Sequence, residues 1–312
     1  MKCSEYAPLV FGGNVFGWTI DESTSFQLLD RFVATGFNAI DTADVYSVWV
    51  PGNRGGESET ILGSWLKRRG KRDQVVIATK VGMALDTQRK GLSKAHILSA
   101  VEDSLRRLQT DYIDLYQAHQ DDPSTPQEET LEAFAQLIKA GKVRAIGASN
   151  YGPERLFQAL HLSSQLGFPS FQTLQPHYNL YDRAEYENKL EPLCVEMGLG
   201  VITYFSLASG FLTGKYRSAQ DLGKSKRGQG VAKYLDERGL RLLKALDQVS
   251  ERLSSSPAQV ALAWLMAKPS ITAPIASATR SDQLEELMGA TAVELDTESM
   301  NQLNQASSYS ER

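Results

Sequence analysis

The chain has 312 residues and a formal net charge of −4, from 33 Lys and Arg against 37 Asp and Glu. Hydrophobic residues make up 42% and charged residues 22%, which excludes collagen-like, coiled-coil and wholly disordered chains. The weak negative charge argues against a nucleic-acid partner, because nothing would neutralise the phosphates. No apolar run is long enough for membrane insertion, and the first residues lack the apolar core of a secretion signal. With only Cys3 and Cys194 we expect no disulfide framework and a cytoplasmic protein.

Eight apolar runs of strand length recur along the chain, and stretches with helical periodicity separate them. The predicted strands cover 8–12, 38–41, 75–80, 112–119, 144–148, 171–175, 200–204 and 271–275. The predicted helices cover 22–35, 57–69, 93–109, 125–140, 153–166, 184–197, 235–253, a stretch after Ser256, 282–289 and 297–306. Strict alternation favours a parallel sheet, and eight such units in one chain predict a single (β/α)8 TIM barrel over residues 1–312, with extra C-terminal helices.

Three helix starts carry recognisable capping residues. Ser93 is a predicted N-cap, because its hydroxyl can accept from the first free backbone amides of the helix. Thr125 is followed by Pro126 and, three positions on, by Glu128, which predicts a capping box with proline at the first helical position. Ser256 begins a similar pattern and predicts a similar start.

The segment 210–234, after the seventh predicted strand, has no clear periodicity. It is rich in glycine and carries a group of basic side chains: Lys215, Arg217, Lys224, Lys226, Arg227 and Lys233. A loop this long in a compact domain is either a lid over a site or a solvated surface segment. The basic residues cluster although the whole chain is acidic, which favours the lid.

Polar side chains end six of the predicted strands. They are Asp41, Lys80, His119, Ser149 with Asn150, Gln175 and Tyr204. In a (β/α)8 barrel all strand carboxyl ends open onto one face, where active sites lie, so we expect these residues to converge. Each one alone is more typical of a turn, a cap or a solvated side chain, whereas the set combines the acid and base groups that proton chemistry needs.

Tyr46 follows Asp41 by five positions and completes this set. An ammonium next to a phenol stabilises the phenolate, so we expect Lys80 to lower the pKa of Tyr46 from its usual value of about 10. Asp41 would hold Lys80 by an ion pair, and His119 would contact a carbonyl oxygen or the phenol. This predicts a general acid that faces a polarised carbonyl.

These residues lie in segments that resemble the aldo-keto reductase family, including its branch of potassium-channel β-subunit-like reductases. The segments are FNAIDTADVY, VVIATKVG, DYIDLYQAHQDD, GASN, QPHYNLYDR and ITYFSLASGFLTGKY. The resemblance covers essentially the whole chain. It implies NADPH-dependent reduction of a small carbonyl substrate, with a catalytic set of Asp41, Tyr46, Lys80 and His119. Tyr46 would donate the proton.

The resemblance also implies an NADP(H) site across the barrel mouth. Near the nicotinamide it places Gly17, Trp18, Thr19, Asp41, Ser149, Asn150, Gln175 and Tyr204. Around the pyrophosphate it places Ser206, Leu207, Ser209, Gly210 and Lys215, and Arg227 also belongs to the expected cofactor set. For the adenosine 2′-phosphate and adenine it implies Ser277, Thr279, Arg280, Gln283 and Glu286, just before and within a helix, whose N-terminus suits a phosphate.

Two positions depart from the family pattern. Leu287 stands where many members carry an asparagine near adenine, and Ser47 stands where glycine is common. The insertion SVWVPGNRGG begins at Ser47 and should remodel the substrate pocket. Trp18 and Trp49, with His119, are the expected pocket residues, although ordinary packing would also explain the two tryptophans.

Other functions have weaker support. No glycine motif of a Rossmann fold, P-loop or serine hydrolase fits, and the four histidines show no metal spacing, so we expect no metal. GLSKAHI and PSTPQEET resemble segments of the channel β subunits, which leaves open a cofactor-sensing accessory subunit with little turnover. A barrel hydrolase that pairs Asp41 with Asp44 would leave Lys80 without a role.

Overall fold

The computed structural model describes residues 7–309, so Cys3 lies outside the described part of the chain. Eight parallel strands close into a barrel in sequence order, β1 pairing with both β2 and β8. The strands are β1 Val10–Gly12, β2 Ala39–Asp41, β3 Val76–Val81, β4 Ile113–Ala118, β5 Val143–Ser149, β6 Thr173–Gln175, β7 Gly200–Thr203 and β8 Ala273–Ala276. The predicted TIM barrel is confirmed, and the ends of each strand lie within two residues of those predicted.

Ten α-helices surround or extend the barrel in the described residues. They are α1 Glu22–Ala34, α2 Glu57–Arg69, α3 Lys94–Leu108, α4 Gln127–Lys139, α5 Pro153–Leu166, α6 Glu191–Met197, α7 Glu237–Arg252, α8 Pro257–Met266, α9 Ser281–Gly289 and α10 Thr297–Ala306. The helix expected over 184–197 is divided, because a π-helical turn at Tyr186–Leu190 precedes α6. The expected additional C-terminal helix is present as α10, which follows α9 and packs against α7.

The structure confirms the predicted capping residues at two of the three helix starts. Ser93 accepts from the backbone amide of His96, and Ser256 forms a full capping box at α8. At α4 the prediction is wrong, because Pro126 is itself the N-cap and makes no side-chain cap. The Thr125 hydroxyl instead donates to Asp122, at 2.7 Å, so it stabilises the preceding loop.

The strand alternation decides which side chains reach the mouth. Small and branched residues fill the barrel interior: Val10, Ala39, Ala78, Leu115, Ala145, Ile202, Ala273 and Ile275. Residues two positions further along a strand point to the same face. Asp41 follows Ala39, Lys80 follows Ala78 and Gln117 follows Leu115, so these three polar side chains lie above the apolar interior at the carboxyl end.

The segment after β7 folds into three short 3₁₀ helices, Ala208–Thr213, Ala219–Lys224 and Gly228–Tyr234. The expected long loop is therefore confirmed. Its middle part crosses to the opposite side of the mouth, where Lys226 Nζ lies 3.4 Å from the Trp18 carbonyl oxygen. We call residues 214–234 the strap.

Over residues 7–309, the structure contains no helix of the length and apolar character needed to cross a bilayer.

Candidate active site

Asp41, Tyr46 and Lys80 form one hydrogen-bonded group at the mouth. Lys80 Nζ lies 2.5 Å from Asp41 Oδ2, 2.8 Å from the Tyr46 hydroxyl and 2.8 Å from the carbonyl oxygen of Thr42. The Tyr46 hydroxyl donates to the same Asp41 oxygen at 3.3 Å. Lys80 is fully buried and Asp41 is 2% exposed, so the ion pair is shielded from water. The predicted convergence of distant segments is therefore present in the structure.

Lys80 does not make Tyr46 more acidic than an ordinary phenol. Burial, followed by the charge of Asp41 and its hydrogen bond, raises the pKa of Tyr46 well above 10. Burial also lowers the pKa of Lys80, and the attraction of Asp41 offsets only part of this effect. The pKa expectation for Tyr46 was therefore in the wrong direction, because it neglected the loss of hydration. The phenol keeps its proton at neutral pH, which is the form a general acid needs.

His119 lies beside Tyr46 at the end of β4. The ring centroids are 5.9 Å apart with an edge-to-face arrangement, and no direct hydrogen bond joins the two side chains. Burial and the nearby charge of Lys80 lower the pKa of His119 well below its usual value, so the ring is neutral at neutral pH. Its Nδ1 atom is buried and has no hydrogen-bond partner among the described residues.

A connected set of amides and hydroxyls lines the next part of the mouth. The Ser149 hydroxyl donates to the Gln175 carbonyl oxygen at 2.9 Å, and Asn150 Nδ2 donates to the His119 carbonyl oxygen at 2.9 Å. The Tyr204 hydroxyl donates to Asn150 Oδ1 at 2.6 Å. Asn150 has a φ of +54°, an unusual conformation that turns its side chain back over the barrel. These contacts fix the orientation of the Ser149, Asn150 and Tyr204 side chains, which are expected to lie near the nicotinamide.

The residues after β1 form the opposite rim. Gly17 has a φ of +69°, and a Cβ there would approach Glu57 Cβ to 2.9 Å, so a glycine is required. The Thr19 hydroxyl donates to the Val15 carbonyl oxygen, so this hydroxyl stabilises the turn. Trp18 lies edge-on to Trp49 with ring centroids 5.6 Å apart, and Trp49 is 6.1 Å from Tyr46. Trp49 therefore lies against the Tyr46 ring, and Trp18 lies against Trp49.

The turn after β7 has the unusual backbone that close approach of a ligand requires. Ser209 and Gly210 have φ values of +57° and +93°, and Lys215 folds back so that Nζ would lie 3.2 Å from a Cβ at Gly210. Leu207 lies partly exposed in the same turn. Ser206 is buried, and its hydroxyl donates to the Thr203 carbonyl oxygen. Its side chain therefore stabilises the turn.

Arg227 of the strap lies over the mouth. Its guanidinium lies 5.1 Å from the centre of the Trp18 ring and donates to Asn14 Oδ1 at 3.4 Å. The Ser277 hydroxyl donates to the same Asn14 oxygen at 2.8 Å. Among residues 7–309 no carboxylate forms an ion pair with Arg227, so a cation faces the mouth without an anionic partner.

The residues around the start of α9 lie together. Gln283 Oε1 accepts from both the amide and the hydroxyl of Thr279, each at 2.9 Å. Arg280 is exposed and pairs with Asp282 at 2.9 Å, and Glu286 is partly exposed one turn further along. Leu287 is 4% exposed and packs in the core, so its side chain does not reach the surface of this site.

Sequence reasoning missed three residues that complete the network. Gln117 Nε2 lies 3.5 Å from Asp41 Oδ1, Thr42 supplies a carbonyl oxygen to Lys80, and Asn14 joins Ser277 to Arg227. Gln117 was detectable, because it lies two positions before His119 in a strand. The role of Asn14 had no sequence signal, because it depends on how the strap crosses the mouth.

The fold and the site together define a class of protein: a (β/α)8 barrel with a buried lysine–aspartate pair that holds a protonated phenol at its open end. The aldo/keto reductase family matches residues 8–308, which contain every residue of this site. The chain belongs to the aldo/keto reductase family.

Several relatives match over most of their length. The chain is 36% identical over 305 residues to the uncharacterized oxidoreductase YrpG of Bacillus subtilis, covering 95% of this chain and 90% of the relative. It is also 36% identical to the aldo-keto reductase YhdN of the same organism, over 94% of this chain and 86% of the relative. A probable voltage-gated potassium channel subunit beta of Oryza sativa is 33% identical, over 88% and 84%. The predicted resemblance is confirmed, and oxidoreduction is the activity that these relatives support.

Proposed function

We propose that this protein reduces an aldehyde or ketone to the alcohol with NADPH and that Tyr46 is the general acid. The observation that carries the proposal is the hydrogen-bonded group in which Lys80 lies 2.8 Å from the Tyr46 hydroxyl and 2.5 Å from Asp41. Aldo-keto reductases generally use a nicotinamide cofactor. Such a cofactor, when bound, supplies the hydride.

The residues of the mouth fit a cofactor of this kind. The amides and hydroxyls of Ser149, Asn150 and Gln175 suit a carboxamide, and the Tyr204 ring offers a flat face. Lys215 is a cation beside a turn with positive φ values, and Arg227 lies over the mouth without a carboxylate partner in the described residues. Two such cations suit a pyrophosphate. The preference for NADP(H) rests on Arg280 with Ser277 and Thr279 at the start of α9, where the helix N-terminus also favours a phosphate.

The protein's own groups then account for the proton. Tyr46 donates its hydroxyl proton to the carbonyl oxygen as negative charge develops there. Lys80 stabilises the phenolate that this transfer leaves, and Asp41 holds Lys80 in place. The neutral His119 ring donates a hydrogen bond to the carbonyl oxygen without competing for the proton. Preset donors of this kind stabilise the transition state without the cost of reorganising water.

The proposal is tested by following the loss of NADPH absorbance with the purified protein and a panel of aldehydes and ketones. We expect turnover of at least one carbonyl compound, with NADPH preferred over NADH. Absence of turnover across the whole panel, with NADPH demonstrably bound, would contradict the proposed activity.

The second candidate function is a cofactor-sensing accessory subunit. Its support is the similarity to proteins named as potassium channel β subunits. This function predicts a stoichiometric membrane partner in a pull-down, together with NADPH binding and no turnover of any carbonyl compound.

A further inference from the structure

Side-chain hydrogen bonds join the two loops that carry Trp18 and Trp49. The Ser47 hydroxyl donates to the Phe16 carbonyl oxygen at 2.7 Å. Asn53 Nδ2 donates to the Gly17 carbonyl oxygen at 3.1 Å and to the Ser47 carbonyl oxygen at 2.9 Å. We call Ser47 and Asn53 the clamp. It binds two consecutive carbonyls of the loop after β1, immediately before Trp18.

The clamp holds the backbone next to both tryptophans. Trp18 follows the clamped carbonyls directly, and Trp49 is two residues beyond Ser47. The rings meet edge to face at 87°, and Trp49 keeps 47% of its surface exposed while it contacts Tyr46. Trp65 and Trp264, in contrast, are fully buried. An exposed indole that is held in place beside a reacting group is a preset contact surface.

The clamp also maintains an unfavourable backbone. Ser47 has a φ of +72°, which costs a residue with a side chain conformational energy that glycine avoids. Its hydroxyl bond to Phe16 offsets this cost, and Ser47 is itself fully buried. Ser47, at a position where glycine is common, therefore supplies a hydrogen bond to Phe16 that glycine could not make. This bond ties the insertion that begins at Ser47 to the loop after β1.

We propose that the Ser47–Asn53 clamp is a specificity determinant, which fixes Trp18 and Trp49 as an aromatic wall that selects planar apolar carbonyl compounds over small aliphatic ones. The inference rests on the proposed reductase function. Aromatic groups gain from edge and offset contacts with indole rings, and a wall that is already ordered loses little entropy on binding. A small aliphatic aldehyde has no aromatic ring to place against this wall, so it gains little from the ordered indoles.

The first test uses Asn53→Asp, which keeps the side-chain shape and removes both donated bonds. Reduction of benzaldehyde and of propanal by NADPH is measured for the wild type and the variant. We expect KM for benzaldehyde to rise about tenfold, with kcat for propanal within about twofold of the wild type. Asn301→Asp, on the exposed face of α10, is the matched control and should change neither value.

The second test does not depend on turnover. Acrylamide quenching of tryptophan fluorescence reports Trp18 and Trp49, because the other two tryptophans are buried. We expect acrylamide to quench the fluorescence of Asn53→Asp more strongly than that of the wild type. The fluorescence of Asn301→Asp should be quenched to the same extent as that of the wild type. In the Trp49→Ala background, adding Asn53→Asp should raise KM for benzaldehyde by much less than tenfold, since the two changes remove the same wall.

The outcomes separate the inference from the function on which it rests. Turnover with equal KM values for benzaldehyde in wild type and Asn53→Asp would overturn the clamp and leave the reductase intact. An equal fall in kcat/KM for propanal and for benzaldehyde would also overturn the clamp as a specificity determinant. Failure to reduce any carbonyl compound would overturn the reductase function, and unchanged acrylamide quenching would then overturn the clamp as well.

Discussion

Gln175 binds the oxygen of Asp41 that Lys80 leaves free. Gln175 Nε2 lies 2.9 Å from Asp41 Oδ1, whereas Lys80 Nζ lies 2.5 Å from Oδ2. One carboxylate therefore links Lys80 and Tyr46 to Gln175 at the end of β6. The carboxylate cannot rotate without losing one of these partners. Asp41 therefore holds the two parts of the mouth in a fixed position relative to each other.

Replacing Asp41 should therefore weaken both stability and activity. Asp41→Asn leaves the buried Lys80 ammonium without its anion, and breaking a buried pair in this way costs about 3–5 kcal/mol. We expect that loss in the free energy of unfolding by urea, together with a clear fall in kcat. Asp86→Asn, in the exposed Asp86–Arg89 pair, is the control. It should leave the free energy of unfolding and kcat unchanged. Equal effects at the two sites would show that burial of the pair is not the cause.

Tyr46→Phe tests the assignment of the proton donor. The substitution removes only the hydroxyl, so the contacts of the ring with Trp49 and His119 remain. We expect kcat to fall by about 10²–10⁴, the range for a lost general acid, while NADPH affinity in a fluorescence titration stays within about twofold. Tyr112→Phe, just before β4 at the other end of the barrel, should be silent. A parallel loss of affinity and turnover would argue against the role of Tyr46 as an acid.

Arg280→Ala tests the choice between the two nicotinamide cofactors. A guanidinium near the start of α9 contributes binding energy only if a phosphate lies there, so the substitution should weaken NADPH and leave NADH nearly unchanged. We expect the dissociation constant for NADPH to rise by about tenfold or more. Arg31→Ala is the matched control, because Arg31 also pairs with an acid of α9, Glu285, at 3.0 Å. If the affinity for NADH falls by the same factor, Arg280 does not distinguish the two cofactors.

The sequence was a good guide to the barrel and a poorer one to the electrostatics of the site. The apolar runs and the alternation within strands identify β2, β3 and β4 and the inward direction of Asp41 and Lys80. The direction of the Tyr46 pKa shift was missed, because it depends on how completely the hydroxyl loses water. The Ser47–Asn53 clamp was also beyond the sequence, since its bonds to Phe16 and Gly17 depend on two loops that meet only in the folded chain.

The pKa of His119 has a consequence for stability against acid. Burial, and then the charge of Lys80, lower this pKa in the folded state, so in acid the unfolded chain binds a proton that the folded chain excludes. The stability contributed by the neutral ring is therefore full above about pH 6.5 and is lost as the pH falls below that value. The maximal slope for one proton is about 1.4 kcal/mol per pH unit.

His119→Gln removes this titration while keeping a polar side chain at the end of β4. We expect the free energy of unfolding by urea to fall less steeply between about pH 6.5 and pH 5 in the variant than in the wild type. His161→Gln, on the surface of α5, is the control and should retain the slope of the wild type. Identical slopes for wild type and His119→Gln would mean that His119 takes up its proton as easily in the folded protein as in the unfolded chain, and its proposed role as a neutral hydrogen-bond donor would lose its physical basis.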